Sequence, residues 1–227
     1  MWLNAGQASA EAIADYQSRL SNTCPRHVVI DDLFSTSMLD KVVDVLHENE
    51  RWKQQRHTYS ALYVDDEQWR STTPAERFVQ RDLWQRSFKP DNIADQFLKY
   101  IRSPDFMALL SIIFDVELTD LNVADSAVNT NYFRLGNQDF IKQHADDSPG
   151  REVCLLLYLN KTWAADAGGK ITFLGGDPSM PFDIEPVYNR CIVFDPASKG
   201  SEHWVQSMEN GAATAYRYNV TSWYWSE

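Results

Sequence analysis

The sequence predicts an α+β fold: a β-rich second half, built as a sandwich or barrel, with a helical first half packed on its outside. Three observations predict it. Apolar residues fall at helical spacing before residue 125 and in short strand-like runs after it. Turn-forming clusters separate those runs, among them Ser148-Pro149-Gly150, Gly168-Gly169, Gly175-Gly176-Asp177-Pro178 and Asp195-Pro196. Composition is that of an ordinary globular chain, 44% hydrophobic and 23% charged, which excludes wholesale disorder. With 227 residues the chain suits one domain with appendages, or two small ones.

Taken in order, HVVIDDLF (27–34) reads as a short strand feeding a helix over 36–48. There Met38, Leu39, Val42, Val43, Val45 and Leu46 share helical spacing, and Ser35 or Thr36 can cap the start. Residues 92–102 and 104–114 read as two more helices, the second opened by Pro104 in its first turn. Between them, residues 52–90 read as irregular, with Trp52, Tyr59, Tyr63, Trp69, Phe78, Trp84 and Phe88 interleaved with charge. A plain loop of that length is unusual, so the stretch holds short elements or covers a site. Strand candidates follow at 128–135, 140–144, 152–160, 170–174, 190–195, 203–207 and 214–225, with a further turn at Asn210-Gly211. The expected organisation is a support region over 1–125, with 52–90 as a candidate lid, and a β core over 126–227.

Charge and cysteine content narrow the classes. Lys and Arg number 21 and Asp and Glu 32, a net charge of −11, which argues against a general nucleic-acid binder. No apolar run approaches the ~20 residues of a membrane helix. The first twenty residues lack the basic-then-apolar order of a secretion signal. Cys24, Cys154 and Cys191 are too few and scattered for a disulfide framework and read as free thiols, so a cytoplasmic location is expected. Oligomeric state is left open.

The chemistry begins at His144-Ala145-Asp146. On a strand, side chains two apart project to one face, so an imidazole and a carboxylate there can grip one ion. His203, at the start of another strand, supplies a second imidazole. Two histidines and a carboxylate make the facial set of non-haem Fe(II) oxygenases, which leaves three coordination positions open. Arg217 lies in the last strand, where Arg217, Asn219, Thr221 and Trp223 alternate onto one face and Tyr216, Tyr218 and Val220 onto the other. A guanidinium on a barrel-interior face needs an anion, and its fork fits a carboxylate. A 2-oxo diacid, 2-oxoglutarate, fits both ends; an ordinary ion pair is the alternative for Arg217.

The pattern His144-x-Asp146, His203, Arg217 resembles the Fe(II)/2-oxoglutarate-dependent dioxygenases, specifically the prolyl-4-hydroxylase-like branch. YLNKTW (158–163), GGKI (168–171), DIEPVYNR (183–190), EHWV (202–205) and YRYNVTSWYW (216–225) are similar to stretches of the animal oxygen-sensing prolyl hydroxylases. The likeness spans about residues 130–225 and nothing comparable precedes 125. It implies a double-stranded β-helix, a jelly-roll or cupin-like barrel, using Fe(II), 2-oxoglutarate and dioxygen, with ascorbate as an accessory reductant. It implies His144, Asp146 and His203 as iron ligands and Arg217 on the distal carboxylate of 2-oxoglutarate. Tyr158 falls where a tyrosine hydroxyl meets that carboxylate, Thr221 where a threonine lines the pocket, and Tyr132 where a tyrosine lies near the iron-bound co-substrate. Arg151 falls where an arginine lies near the substrate mouth. The segment from Tyr132 to His144 is two residues longer than in the animal enzymes, so Phe140 and its neighbours are not carried over. Related halogenases have a small residue in place of the carboxylate; Asp146 therefore implies hydroxylation and not halogenation.

Plainer roles stay open beside these. Tyr158 and Tyr132 suit core aromatics with satisfied hydroxyls, Thr221 suits β-propensity, and Trp163, Trp223 and Trp225 suit packing. His27, His47 and His57 have no partner at metal spacing and read as surface or core residues. Three functions follow: an oxygenase on a free amino acid or related small molecule, a prolyl hydroxylase on a protein or peptide, or a non-catalytic barrel that binds metal or ligand.

Overall fold

The structure is a computed structural model; it describes residues 1–86, 92–121, 123, 128–164, 166–208 and 216–226. The turn at Asn210-Gly211, residues 87–90 of the irregular stretch and the first two residues of the strand expected at 214–225 lie outside the described residues. Among the described residues five α-helices precede the β core: α1 (Ala10–Asn22), α2 (Thr36–Leu46), α3 (Asp66–Ser71), α4 (Ile93–Tyr100) and α5 (Pro104–Phe114). The three helices expected from apolar spacing are present. Helix α2 buries Leu39, Val42, Val43 and Leu46, the same face the spacing marks. Helix α5 starts where the Ser103 hydroxyl accepts from Phe106 N, with Pro104 in the first turn. Helix α1 was not expected. Its cap, Ser9, accepts from Ala12 N, but only Tyr16 and Leu20 are buried, too few for a visible stripe.

Among the described residues eleven strands form one curled sheet. They are β1 (His27–Asp31), β2 (Trp52–Thr58), β3 (Arg77–Trp84), β4 (Thr130–Leu135), β5 (Phe140–His144), β6 (Arg151–Tyr158), β7 (Ile171–Phe173), β8 (Phe182–Ile184), β9 (Arg190–Phe194), β10 (His203–Val205) and β11 (Arg217–Trp225). The order is β1-β9-β6-β11-β4-β3-β5-β10-β7-β8, with β2 on β3, and every pairing is antiparallel. This is a curled half-barrel of the double-stranded β-helix kind, as expected. One face of β6, β9 and β11 packs against the helices: Val153, Leu155, Leu157, Val193, Val220 and Tyr224 join Leu39, Phe97, Phe106 and Leu110 in the main core. The opposite face turns inward, where Cys154, Leu156, Tyr158, Ile192 and Phe194 meet Ile171 and Phe173 of the facing strands. Period-two alternation thus sorts each strand between helices and barrel interior.

The reading of residues 52–90 as irregular needs correction. Strands β2 and β3 pair over seven register positions, and β3 also pairs with β4 and β5. These strands hide in the sequence because charged Lys53, Arg56, Arg77, Arg81 and Asp82 interrupt the apolar alternation. Two ion-pair contacts stabilise this region: Arg134 Nε to Asp82 Oδ2 at 2.9 Å, and Arg56 to Asp66. No described helix is long and apolar enough to cross a membrane.

Candidate active site

His144 ends β5 and His203 begins β10, and the antiparallel register sets them directly opposite each other. Their rings lie 4.5 Å apart between centroids. Asp146 follows two residues after His144, and one ligand atom from each of the three lies within 4.8 Å of the others. The Nε2 atoms of His144 and His203 stand 3.7 and 3.8 Å from the two Asp146 carboxylate oxygens. Each Nδ1 meets a backbone carbonyl, Lys142 O for His144 and Ser201 O for His203, both at 2.9 Å. A carbonyl only accepts, so both Nδ1 atoms carry the proton and both Nε2 lone pairs face the carboxylate. The turn that delivers His203 passes Gly200 at φ +78°, where a Cβ would collide with the Gly175 carbonyl.

Electrostatics suit a divalent cation. Burial, then the neighbouring His144, pushes the His203 pKa down to about 4, so its ring is neutral at pH 7. For Asp146, burial pulls upward, but His144 and His203 together hold the carboxyl below its ordinary value. A neutral His203 ring and an ionised Asp146 carboxylate are protonation states that suit a metal ion. The donor set fits Fe(II).

Deeper in the interior, Arg217 is 1% exposed. It faces Tyr158, its Nη2 donating to the tyrosine oxygen at 3.2 Å and its Nη1 to Asn219 Oδ1 at 3.1 Å. Asn219 in turn donates to Thr221 Oγ1 at 2.9 Å. Arg217 Nε has no hydrogen-bond partner among the described residues. A buried guanidinium with only neutral partners calls for an anion, which the far carboxylate of 2-oxoglutarate can supply. The register explains the cluster: Tyr158 sits opposite Asn219 across β6 and β11, on the face that Arg217 and Thr221 share. A cavity of about 800 Å³ runs past His144, Asp146, His203, Arg217, Asn219 and Thr221.

One expected site residue stands elsewhere, and a second is engaged by its own neighbours. Tyr132 pairs with Val220, so it shares the helix-facing side of the sheet. It is fully buried there, with its hydroxyl donating to Ala94 O at 2.8 Å and its ring edge-on to Trp84. The structure does not bring Tyr132 to the cavity; Asn131 and Phe133, one position away, carry the inward-facing side of β4. Arg151 does line the cavity, but its Nη1 donates to the Asp146 carbonyl and its guanidinium lies over the Trp225 ring at 4.8 Å. It braces the backbone of the metal motif.

The cavity also holds residues not singled out beforehand. His57 and Thr58 of β2 and Arg81 of β3 line it, as do Tyr59 to Tyr63 in the connection that follows β2. His57 Nδ1 accepts from Tyr63 N at 3.1 Å, and burial, then Arg81, pushes its pKa down to about 4. A strand assignment at 77–84 would have put Val79 and Arg81 on one face beside the site.

Comparison with known proteins agrees with this geometry. Residues 129–225 match the 2OG-Fe(II) oxygenase superfamily. A Pseudomonas putida prolyl-4-hydroxylase superposes with a TM-score of 0.61 at 18% identity, over 95% of this chain and 99% of that one. A Trichoplax adhaerens prolyl hydroxylase, in complex with a hypoxia inducible factor oxygen degradation domain peptide fragment, gives 0.63 at 18% identity, over 96% and 94%. A Burkholderia pseudomallei oxidoreductase of the 2OG-Fe(II) oxygenase family gives 0.60 at 15% identity, over 96% and 93%. At these identities the likeness concerns the fold. No curated protein matches the chain.

Proposed function

We propose that this chain, whose residues 129–225 form a 2OG-Fe(II) oxygenase domain, hydroxylates an aliphatic C–H bond of a free amino acid or related small molecule. The observation that carries the reading is one cavity holding both halves of the required binding set. One half is two imidazoles beside a carboxylate; the other is a buried guanidinium whose Nε has no hydrogen-bond partner among the described residues. His144, Asp146 and His203 hold the iron, Arg217 and Tyr158 clamp the distal carboxylate of 2-oxoglutarate, and Asn219 and Thr221 orient the clamp. When bound, ferrous ion with 2-oxoglutarate and dioxygen supplies the oxidising power that exchanges an unactivated hydrogen for hydroxyl, leaving succinate and carbon dioxide. The chain's own residues contribute orientation and exclusion of water. Lys142 O and Ser201 O each hold an Nδ1 and so turn the two Nε2 atoms towards Asp146, and the apolar walls of Leu156 and Ile171 dry the floor. Because β2 and β3 belong to the sheet, the lid expected over 52–90 narrows to the connection 59–76, of which residues 59–63 border the mouth.

The test is succinate release with Fe(II) and 2-oxoglutarate, screened over amino acids and proline-containing peptides. Expected is succinate that rises with one substrate class, a product one oxygen heavier, and loss of both in Asp146→Ala. Protein that binds neither Mn(II) nor 2-oxoglutarate in calorimetry overturns the reading. A peptidyl proline is the second reading, favoured by the fold shared with a prolyl hydroxylase that holds a peptide.

A further inference from the structure

The cavity holds one cation more than iron and 2-oxoglutarate require. Its charged lining comprises Arg81, Arg151 and Arg217 against Asp146 and Asp147. A ferrous ion and a 2-oxoglutarate dianion cancel each other, so the loaded cavity keeps an excess positive charge in a protein whose net charge is −11. Arg217 is matched to the co-substrate. Arg151 is engaged with the Asp146 carbonyl and the Trp225 ring. Arg81 is the cation left over.

Its environment is built. Arg81 faces inward from β3, and Gln55, directly opposite on β2, accepts from its Nε at 2.9 Å. Phe133 stacks under the guanidinium, 3.4 Å from ring centroid to Cζ. Those two contacts hold the fork in one orientation without neutralising it. Among the described residues Arg81 has no carboxylate ion-pair partner. Burial, offset by attraction to Asp146, lowers its pKa to about 10, so it stays charged at neutral pH. Asp146 and Arg217 line the same cavity and act on it in opposite senses, Asp146 favouring its charge and Arg217 opposing it. Beside it Val79, Ile141 and Val205 form an apolar wall.

We infer that Arg81 binds a carboxylate of the primary substrate, so that the substrate is a small carboxylic acid with an apolar body, an amino acid whose own carboxylate is free. This rests on the oxygenase reading above and deepens it. The fork fixes one end of the substrate while the apolar wall holds the carbon to be oxidised towards the ligand cluster. A proline within a peptide has no such carboxylate to offer.

Thermal melting of the full chain with Mn(II) in place of iron tests this without turnover. Mn(II) with 2-oxoglutarate raises the melting temperature of the wild type. At least one of the twenty common L-amino acids then raises it further, and the matching carboxamide does not. Arg81→Gln retains the first increment and weakens half-saturation by the amino acid about 10- to 100-fold, the loss of a charge-assisted bidentate contact. Arg81→Lys recovers part of it. Acid and amide binding equally, or no acid binding better than its amide, overturns the inference. So does loss of the Mn(II)/2-oxoglutarate increment in Arg81→Gln, which would assign Arg81 to the co-substrate. A wild type with no first increment sinks the oxygenase reading itself. The acid-against-amide comparison uses the wild type alone and decides the matter even where a variant fails to fold.

Discussion

Arg217 shows how much one buried charge specifies. Its Nη groups rest on neutral oxygens of Tyr158 and Asn219, so it is oriented but not neutralised. Removing the Tyr158 hydroxyl leaves the ring as packing and takes away one hydrogen bond to a charged guanidinium, worth ~1.5 kcal/mol or more. Tyr158→Phe should therefore raise the 2-oxoglutarate Kd about 10-fold while leaving Mn(II) affinity unchanged, as calorimetry would read; an unchanged Kd removes Tyr158 from the clamp. The residues of this cluster were legible because alternation along a strand is a local property: 217, 219 and 221 share a face whatever the rest of the chain does. His144, Asp146 and His203 were legible for the same reason plus the chemistry of their donor set. Tyr132 was not, because its face depends on which residue of β4 meets Val220. A shift of one position turns a pocket residue into a core residue. Arg81 was invisible for the opposite reason, since a charged residue amid charged neighbours in a stretch without apolar alternation carries no local signal.

At the scale of elements, the hairpin β2–β3 decides the shape of the mouth. Its arms are tied into the sheet through β4 and β5, while its connection carries exposed Tyr59, Leu62 and Tyr63 beside the cavity. Apolar side chains at the edge of a binding cavity gain burial when something fills it. Limited proteolysis should cut first at Tyr59, Leu62 or Tyr63, and Mn(II), 2-oxoglutarate and an accepted substrate together should slow that cut several-fold. Equal cleavage rates with and without them would remove the lid. Helices α2, α4 and α5 could be read from apolar spacing because each buries a full stripe. Strands β2 and β3 could not, because their burial is shared with partners far along the chain: Asp82 pairs across to Arg134, Val79 to Ile141.

For the molecule as a whole, the site sets a pH dependence of stability. His57 and His203 each titrate near 4 in the fold, against about 6.5 when unfolded. Burial is the main cause at both rings; Arg81 adds to it at His57, while at His203 the Asp146 carboxylate and the Ser201 carbonyl oppose it without overcoming it. Between pH 6.5 and 4 the unfolded chain takes up protons that the native chain refuses. The stability these rings carry is full above pH 6.5 and is lost as pH falls to about 4. At ~1.4 kcal/mol per pKa unit the two together amount to several kcal/mol. Carboxylates held below their ordinary range, such as Asp31 and Asp40, act in a lower window, below pH 4. Asp139, raised by burial, works in the opposite sense. Metal-free protein should thus melt about 10 °C lower at pH 4.5 than at pH 7. His57→Asn, which cannot take the proton, should reduce that fall by a third or more without touching the metal ligands. Calorimetric scans of both proteins across this range decide it: parallel curves would mean that His57 keeps an ordinary pKa and is not sealed against the cavity wall by Arg81 and Tyr63.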